Sequence, residues 1–307
     1  MRECVLAADL GGTNIRVAKV SSTGRISHYR QVLTPPAGGL AVVDALAALL
    51  EQIPRKDVLA LGVDVPGLVN IDGNVWAPNI RGWKRVPLGP RLQKRLDLPV
   101  VVESDRNACV VGETWKGVAK GLRDVVFVSV GTGIGAGIMI DGHLLRGHSG
   151  TAGSIGWMAV RDKFLPQYAK VGCLESHAAG VGIGATASHL YQRSLTAQEV
   201  TQLAIHGSVG AQRVLDRAGR YLGMALANLV NILGPEIIVV GGGVIDSDES
   251  VFRTAIQTMK LWAHPIAIKQ TRVIRSQLKG TAELLGIAKL AFGAMALPVT
   301  YKTGPFL

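Results

Sequence analysis

Asp105 stands in VVVESDRNAC (100–109), where a short apolar strand runs into a cluster of polar side chains. A carboxylate there has two uses: it caps or turns the chain, or it takes a proton from a substrate hydroxyl as a general base. The rest of the chain separates the two. Glycine corners follow strands at LGGTN (10–14) and VGTGIGAG (130–137), and Gly241–Gly242–Gly243 follows the apolar run 237–240. Such clusters serve as plain turns, or as bare backbone whose N–H groups cradle phosphate oxygens, with Thr13 and Thr132 adding hydroxyl donors. GTGIGAG lacks the GxGxxG spacing of a dinucleotide loop and no GK[ST] is present, so Rossmann and Walker loops are disfavoured. Asp9, closing the first strand, is placed to hold Mg²⁺ directly or through water. These parts suit phosphoryl transfer without a covalent enzyme intermediate.

The elements that must position them alternate between strand and helix. Residues 4–9 and 15–20 read as a hairpin around the first corner, 40–52 as a helix, 58–65 as a buried strand and 89–96 as a short helix before the Asp105 strand. A helix is expected over 108–116, then a second hairpin with strands 125–130 and 138–140, a long helix over 211–233, a strand over 237–240 and a helix over 283–295. An offset of 120 residues lays Leu10 on Val130, Gly11 on Gly131, Val20 on Ile140 and Ser21 on Asp141. Two related halves with a cleft between them follow from that echo.

Composition sets limits. At 307 residues, 48% apolar and 5% aromatic, the chain can build two domains with aliphatic cores. No apolar run reaches the roughly 18 residues of a membrane helix, and Met1 leads almost directly into a strand without a signal segment, so no membrane partner and a cytoplasmic location are expected. Cys4, Cys109 and Cys173 are odd in number and far apart, which suits a reducing compartment. The net charge of +11 comes from 33 basic against 22 acidic residues. The basic residues are scattered and lack interleaved aromatics, so a solvated face that attracts anionic nucleotides is expected, with no nucleic-acid partner.

The order ADLGGTN (8–14), VPGLVN (65–70), APNIRGW (77–83), ESDRNA (103–108), VGTGIGAGIMIDG (130–142), AGSIGWM (152–158), GCLE (172–175) and PEIIVVGGGV (235–244) resembles the ROK family, sugar kinases and sugar-responsive repressors of the actin-like ATPase superfamily. The resemblance spans essentially the whole chain. It implies an α/β fold of two ribonuclease-H-like lobes, with ATP, Mg²⁺ and a hexose in the cleft between them. The expected lobes are 1–115, completed by the C-terminal helix 283–307, and 116–282. Asp9, Gly11, Gly12 and Thr13 match the first phosphate and metal loop, Gly131, Thr132 and Gly133 the second, and Gly241, Gly242 and Gly243 the adenosine side. Asp105 matches the general base acting on the sugar 6-hydroxyl, and Asn79 and Glu175 match sugar-contacting positions. Family members are commonly dimers or tetramers, so a homodimer or higher homo-oligomer is expected.

Three departures bear on the sugar. Ser104 stands where the family has Asn, and Ser154 and Trp157 stand where AGEIGH has Glu and His. Losing those Glu and His contacts costs roughly 3–5 kcal/mol, some two to four orders of magnitude in affinity for a family-typical hexose unless something compensates. Trp157 either stacks on a sugar face or packs as a structural residue. The same change removes the family's zinc-ligand His, and its CxCGxxGC segment survives only as Gly172–Cys173. His148 and His177 are isolated, so no structural zinc is expected. The expected activity is ATP-dependent phosphorylation of a hexose or hexose derivative, glucokinase-like at the 6-hydroxyl. The alternative is a catalytically silent sugar- or nucleotide-binding relative; a DNA-binding repressor is disfavoured because the first phosphate loop lies within ten residues of Met1.

Overall fold

A computed structural model describes residues 3–70 and 73–294. The chain divides into two compact units: one comprises the chain up to Gly121, Arg146–Thr151 and the chain from Leu278 on; the other comprises Leu122–Leu145 and Ala152–Gln277. Residues 295–307, expected to continue the C-terminal helix, lie outside the described residues.

The first unit opens with the antiparallel strands β1 (Cys4–Leu10), β2 (Asn14–Ser21) and β3 (Ile26–Leu33), then α1 (Gly39–Glu51) and β4 (Val58–Val65). The short pair β5 (Leu68–Val69) and β6 (Val75–Trp76), α2 (Leu88–Leu96), β7 (Val100–Ser104) and α3 (Asp105–Lys116) follow. In the five-stranded sheet, ordered β3-β2-β1-β4-β7, β1, β4 and β7 run parallel. Its strands alternate between two cores. Leu6, Ala8, Leu10, Ile15, Leu61 and Val63 pack with the apolar faces of α1 and α2, while Val5, Ala7, Ala18 and Ala60 face the other way.

The second unit repeats the plan. It carries β8 (Val125–Val130), β9 (Ile134–Ile140), β10 (His143–Leu144), a 3₁₀ turn (Ile155–Trp157), α4 (Tyr168–Val171), α5 (Glu175–Ala178), α6 (Gly180–Tyr191), α7 (Ala197–Ile205) and α8 (Val209–Leu233). After these come β11 (Ile237–Gly241), α9 (Gly243–Ser247), α10 (Glu249–Trp262), α11 (Ala267–Gln270) and β12 (Arg272–Arg275). The sheet order β10-β9-β8-β11-β12 has the same sequence of antiparallel and parallel pairings as the first. The last helix, α12 (Ala282–Ala294), belongs to the first unit and covers the face of Val5 and Ala7 through Leu284, Ile287, Ala288 and Ala291. Glycine makes its crossing with α3 possible: a Cβ at Gly286 would run into the carbonyl of Ala108, and one at Gly112 into that of Ala282.

Two expectations change. The helix expected from Ala108 begins at Asp105: Ser104 precedes it in extended conformation without a side-chain capping bond, and an acidic side chain suits the first turn. The strand expected from Ile138 begins at Ile134, since only Gly131–Gly133 is needed to turn the corner. That corner is one residue shorter than the first. Leu10 faces Ile15 across four intervening residues, whereas Val130 faces Ile134 across three. The offset of 120 therefore holds for the first strand of each hairpin, and 119 for the second, so Val20 corresponds to Met139. A one-residue slip would turn every side chain to the opposite face, and Ile15 and Val17 match the buried Ile134 and Ala136 only at 119.

Candidate active site

Ligands of open α/β sheets bind outside the carboxyl ends of the parallel strands, and in the first unit those ends carry charge. Paired residues place Arg16, Asp9, Asp64 and Glu103 in one row across β2, β1, β4 and β7. Asp9, 5% exposed, is ion-paired with Arg16, whose guanidinium also donates to the Gly280 carbonyl at 2.7 Å and lies 4.0 Å from Glu283 on α12. Asp64 is fully buried. Burial first, then the neighbouring Asp9 charge, raises its carboxyl well above the ordinary range. Among the described residues neither of its oxygens has a hydrogen-bond partner.

Glu103 binds the strand end that precedes Asp105. One oxygen accepts from the Ser104 amide at 2.9 Å and from Asn107 Nδ2 at 3.0 Å; the other accepts from Arg146 Nε at 2.8 Å and lies 2.8 Å from Arg146 Nη2. With its acceptor capacity used in holding this junction, Glu103 fixes the start of α3. Asp105 sits there, half-buried, its Oδ1 accepting the Arg106 amide at 2.7 Å. Withdrawal from water raises its carboxyl to about 7, against the opposing effects of the Arg106 amide and guanidinium and reinforced by Asp9 and Glu283. Ser104 Oγ is buried beside it with no partner among the described residues.

The first glycine corner joins this group. The Gly11 amide bonds the Asn14 carbonyl at 2.8 Å, and Thr34 secures the loop from outside, its hydroxyl on the Gly11 carbonyl at 2.7 Å and its amide on that of Thr13 at 2.9 Å. Gly12 and Thr13 are exposed. Asn79 lies against Gly12, where an added Cβ would stand 3.3 Å from the Asn79 carbonyl oxygen.

The second unit presents glycine where the first presents carboxylates. The Gly131 amide bonds the Gly133 carbonyl at 3.0 Å, and the Gly131 carbonyl accepts the Gly180 amide at the start of α6 at 2.8 Å, leaving Thr132 exposed at the tip. Gly241 ends β11 beside Ser129 of β8, and Gly242 has φ +104° with the Val130 carbonyl 2.7 Å from where a Cβ would be. Gly243 begins α9. The loops 131–133 and 241–243 are thus neighbours at the carboxyl ends of adjacent strands.

Glu175, the first residue of α5, accepts the Ile134 amide at 2.6 Å and fills the space beside Gly133 and Gly156; burial raises its carboxyl, against that hydrogen bond. The turn carrying Ser154 and Trp157 is tied to β9 by the Ala136 amide on the Gly153 carbonyl at 2.8 Å. Trp157 is 55% exposed, which argues against a core packing role. Its backbone abuts Gly172, and Gly156 abuts Glu175, so Ser154, Trp157 and Glu175 share one neighbourhood with the second glycine corner.

The structure thus groups Asp9, Gly11–Thr13, Asn79, Ser104 and Asp105 in one unit and the remaining expected residues in the other. Arg16, Asp64, Glu103 and Glu283 were absent from the sequence expectation. Asp64 did leave a signal, a lone carboxylate in the apolar run 58–65.

Residues 5–294 match the ROK family. A glucokinase of Halalkalibacterium halodurans is 33% identical over 289 residues, 85% of this chain and 86% of that enzyme. A ROK hexokinase from Thermus thermophilus is similar in structure with a TM-score of 0.85 and 30% identity, over 95% of this chain and 99% of that one. A ROK family glucokinase from Streptomyces griseus, in complex with glucose and AMPPNP, gives 0.80 and 31% over 94% and 99%. The chain belongs to the ROK family, on the two-lobed α/β fold of the actin-like ATPases.

Proposed function

We propose that this sugar kinase transfers the γ-phosphoryl group of ATP to the 6-hydroxyl of a hexose or hexose derivative, with Asp105 as general base. The observation that carries the reading is the Asp105 environment: a half-buried carboxyl raised to about 7, next to a Ser104 hydroxyl that has no partner among the described residues, at the carboxyl edge of the sheet. A base with that proton affinity can take the hydroxyl proton as the oxygen attacks, and still be ionised near neutral pH. The residues assigned to sugar contact are Asn79, Ser104, Ser154, Trp157 and Glu175.

The corners Gly11–Gly12–Thr13 and Gly131–Thr132–Gly133, exposed at Gly12, Thr13 and Thr132, have backbone suited to phosphate oxygens, and Gly241–Gly242–Gly243 would take the adenosine side. Asp9 fits Mg²⁺, a hard cation that favours carboxylate and water oxygens. Its pairing with Arg16 suits a hold through water, and the metal when bound neutralises charge on the phosphates. With Ser154 and Trp157 in place of Glu and His, recognition would rest on the exposed indole and favour a modified hexose.

The test is ADP release with Mg-ATP across hexoses, hexosamines and N-acylated hexosamines. Release on at least one sugar, lost in Asp105→Asn, is expected; no release above that control on any sugar would sink the reading. Ser154→Glu with Trp157→His should shift preference toward glucose.

A further inference from the structure

The helix that carries Glu175 is one turn long. Four residues cannot sustain a helix unaided, because nucleation costs more than one turn returns, so α5 must be held from outside. The second unit has one cysteine, Cys173, and Trp157 occupies the position of the family's zinc-ligand His. A structural zinc needs four nitrogen or thiolate donors, and this donor set does not fit one.

His177, two residues after Glu175, is engaged elsewhere. Its Nε2 lies 2.6 Å from the Tyr168 hydroxyl, and its ring meets the Tyr168 ring edge-on at 5.5 Å. It also stacks on Tyr221 of α8 at 4.5 Å and 23°. Phe164 packs edge-on against Tyr168 at 6.0 Å, and the Arg217 guanidinium lies 5.8 Å from the Tyr221 ring centroid. Tyr168 is 4% exposed, and α8 runs 25 residues with Leu222, Leu226 and Val230 in the core, so both partners are fixed points.

We propose that His177, clasped between Tyr168 and Tyr221, is a positioning residue that fastens α5 and thereby Glu175, so that aromatic packing sets the sugar site of this chain without a bound metal. Each contact is of a kind that contributes to stability beyond area burial. Burial, with Arg217 and Arg161 nearby, lowers the imidazole to about 4, so the clasp is uncharged at neutral pH. Displacing α5 would release Glu175 from the Ile134 amide.

The inference rests on the proposed role of Glu175 toward the sugar, and the experiment separates the two. In the full-length enzyme, His177→Ala should raise the KM for sugar about tenfold while the KM for ATP stays within about twofold. His177→Phe, which keeps a stacked ring, should recover most of the loss. Tyr168→Phe, which deletes one hydroxyl and keeps the ring, should raise the sugar KM about threefold. A zinc chelator or added zinc should leave the melting midpoint and both KM values unchanged. The proposal is overturned if chelation lowers the midpoint, or if His177→Ala and Tyr168→Phe move the midpoint while leaving the sugar KM alone. Glu175→Gln is run alongside: an unchanged sugar KM there refutes the role of Glu175, whereas a raised one with unaffected clasp variants refutes the clasp.

Discussion

The two sheets have one topology and opposite chemistry at their edges. Arg16, Asp9 and Asp64 occupy one row of the first sheet, and by register the same places in the second are Gly135, Ser129 and Gly241. Charged groups at the first edge can hold a metal and take a proton. At the second edge, small residues leave the backbone uncovered by side chains. One scaffold thus carries different chemistry at its two edges, the fold supplying position and the row supplying the chemical groups.

The largest effect should come from the first edge. Asp105→Asn is expected to lower kcat by about 10²–10⁴, the usual range for a general base. In the unaltered enzyme, kcat/KM should fall about tenfold per pH unit below about 7 as Asp105 takes up its proton. A flat profile between pH 5 and pH 8 (about the ordinary working range) would remove Asp105 from that role.

Arg16 tests the row itself. Arg16→Ala leaves the buried Asp9 carboxylate without its cation and beside a second carboxyl, and should cost about 3 kcal/mol in denaturant unfolding. Ser129→Ala, at the place of Asp9 in the second sheet, should cost no more than about 1 kcal/mol. Equal costs would mean that the two edges differ less than their residues suggest.

Gly242→Ala is the complementary test. At φ +104°, with the Val130 carbonyl in the path of a Cβ, the substitution should cost about 1–3 kcal/mol and raise the KM for ATP with the sugar KM unchanged. A change confined to the sugar KM would move these glycines out of the nucleotide site.

What could be read from the chain was local. The glycine corners and the strands leading into them follow from alternation over a few residues, whereas the role expected of Asp105 rests on the resemblance to the family. The charged row needs the register of four strands, which sequence spacing does not encode. The contact of Glu175 with Ile134 spans 41 residues, and the clasp joins residues 168, 177 and 221. The repeat shows the limit most clearly: one loop residue separates an offset of 120 from 119, and with it which side chains face the core.

The smallest effect sets the two units against each other in pH. Asp105 binds a proton more tightly folded than unfolded, about 7 against 3.8, so its contribution to stability is complete below pH 3.8 and is lost as pH rises through 7. His177 has the opposite sign. Folded at about 4 against 6.5 unfolded, it contributes fully above 6.5 and loses that contribution as pH falls toward 4. Tyr168, Tyr221, Arg217 and Arg161 face it, and the two arginines oppose its charging. In thermal unfolding at several pH values across this interval, Asp105→Asn should lose stability relative to the parent toward acid, whereas His177→Phe should gain. Parallel curves for both variants would mean that neither group is as withdrawn from water as the fold places it.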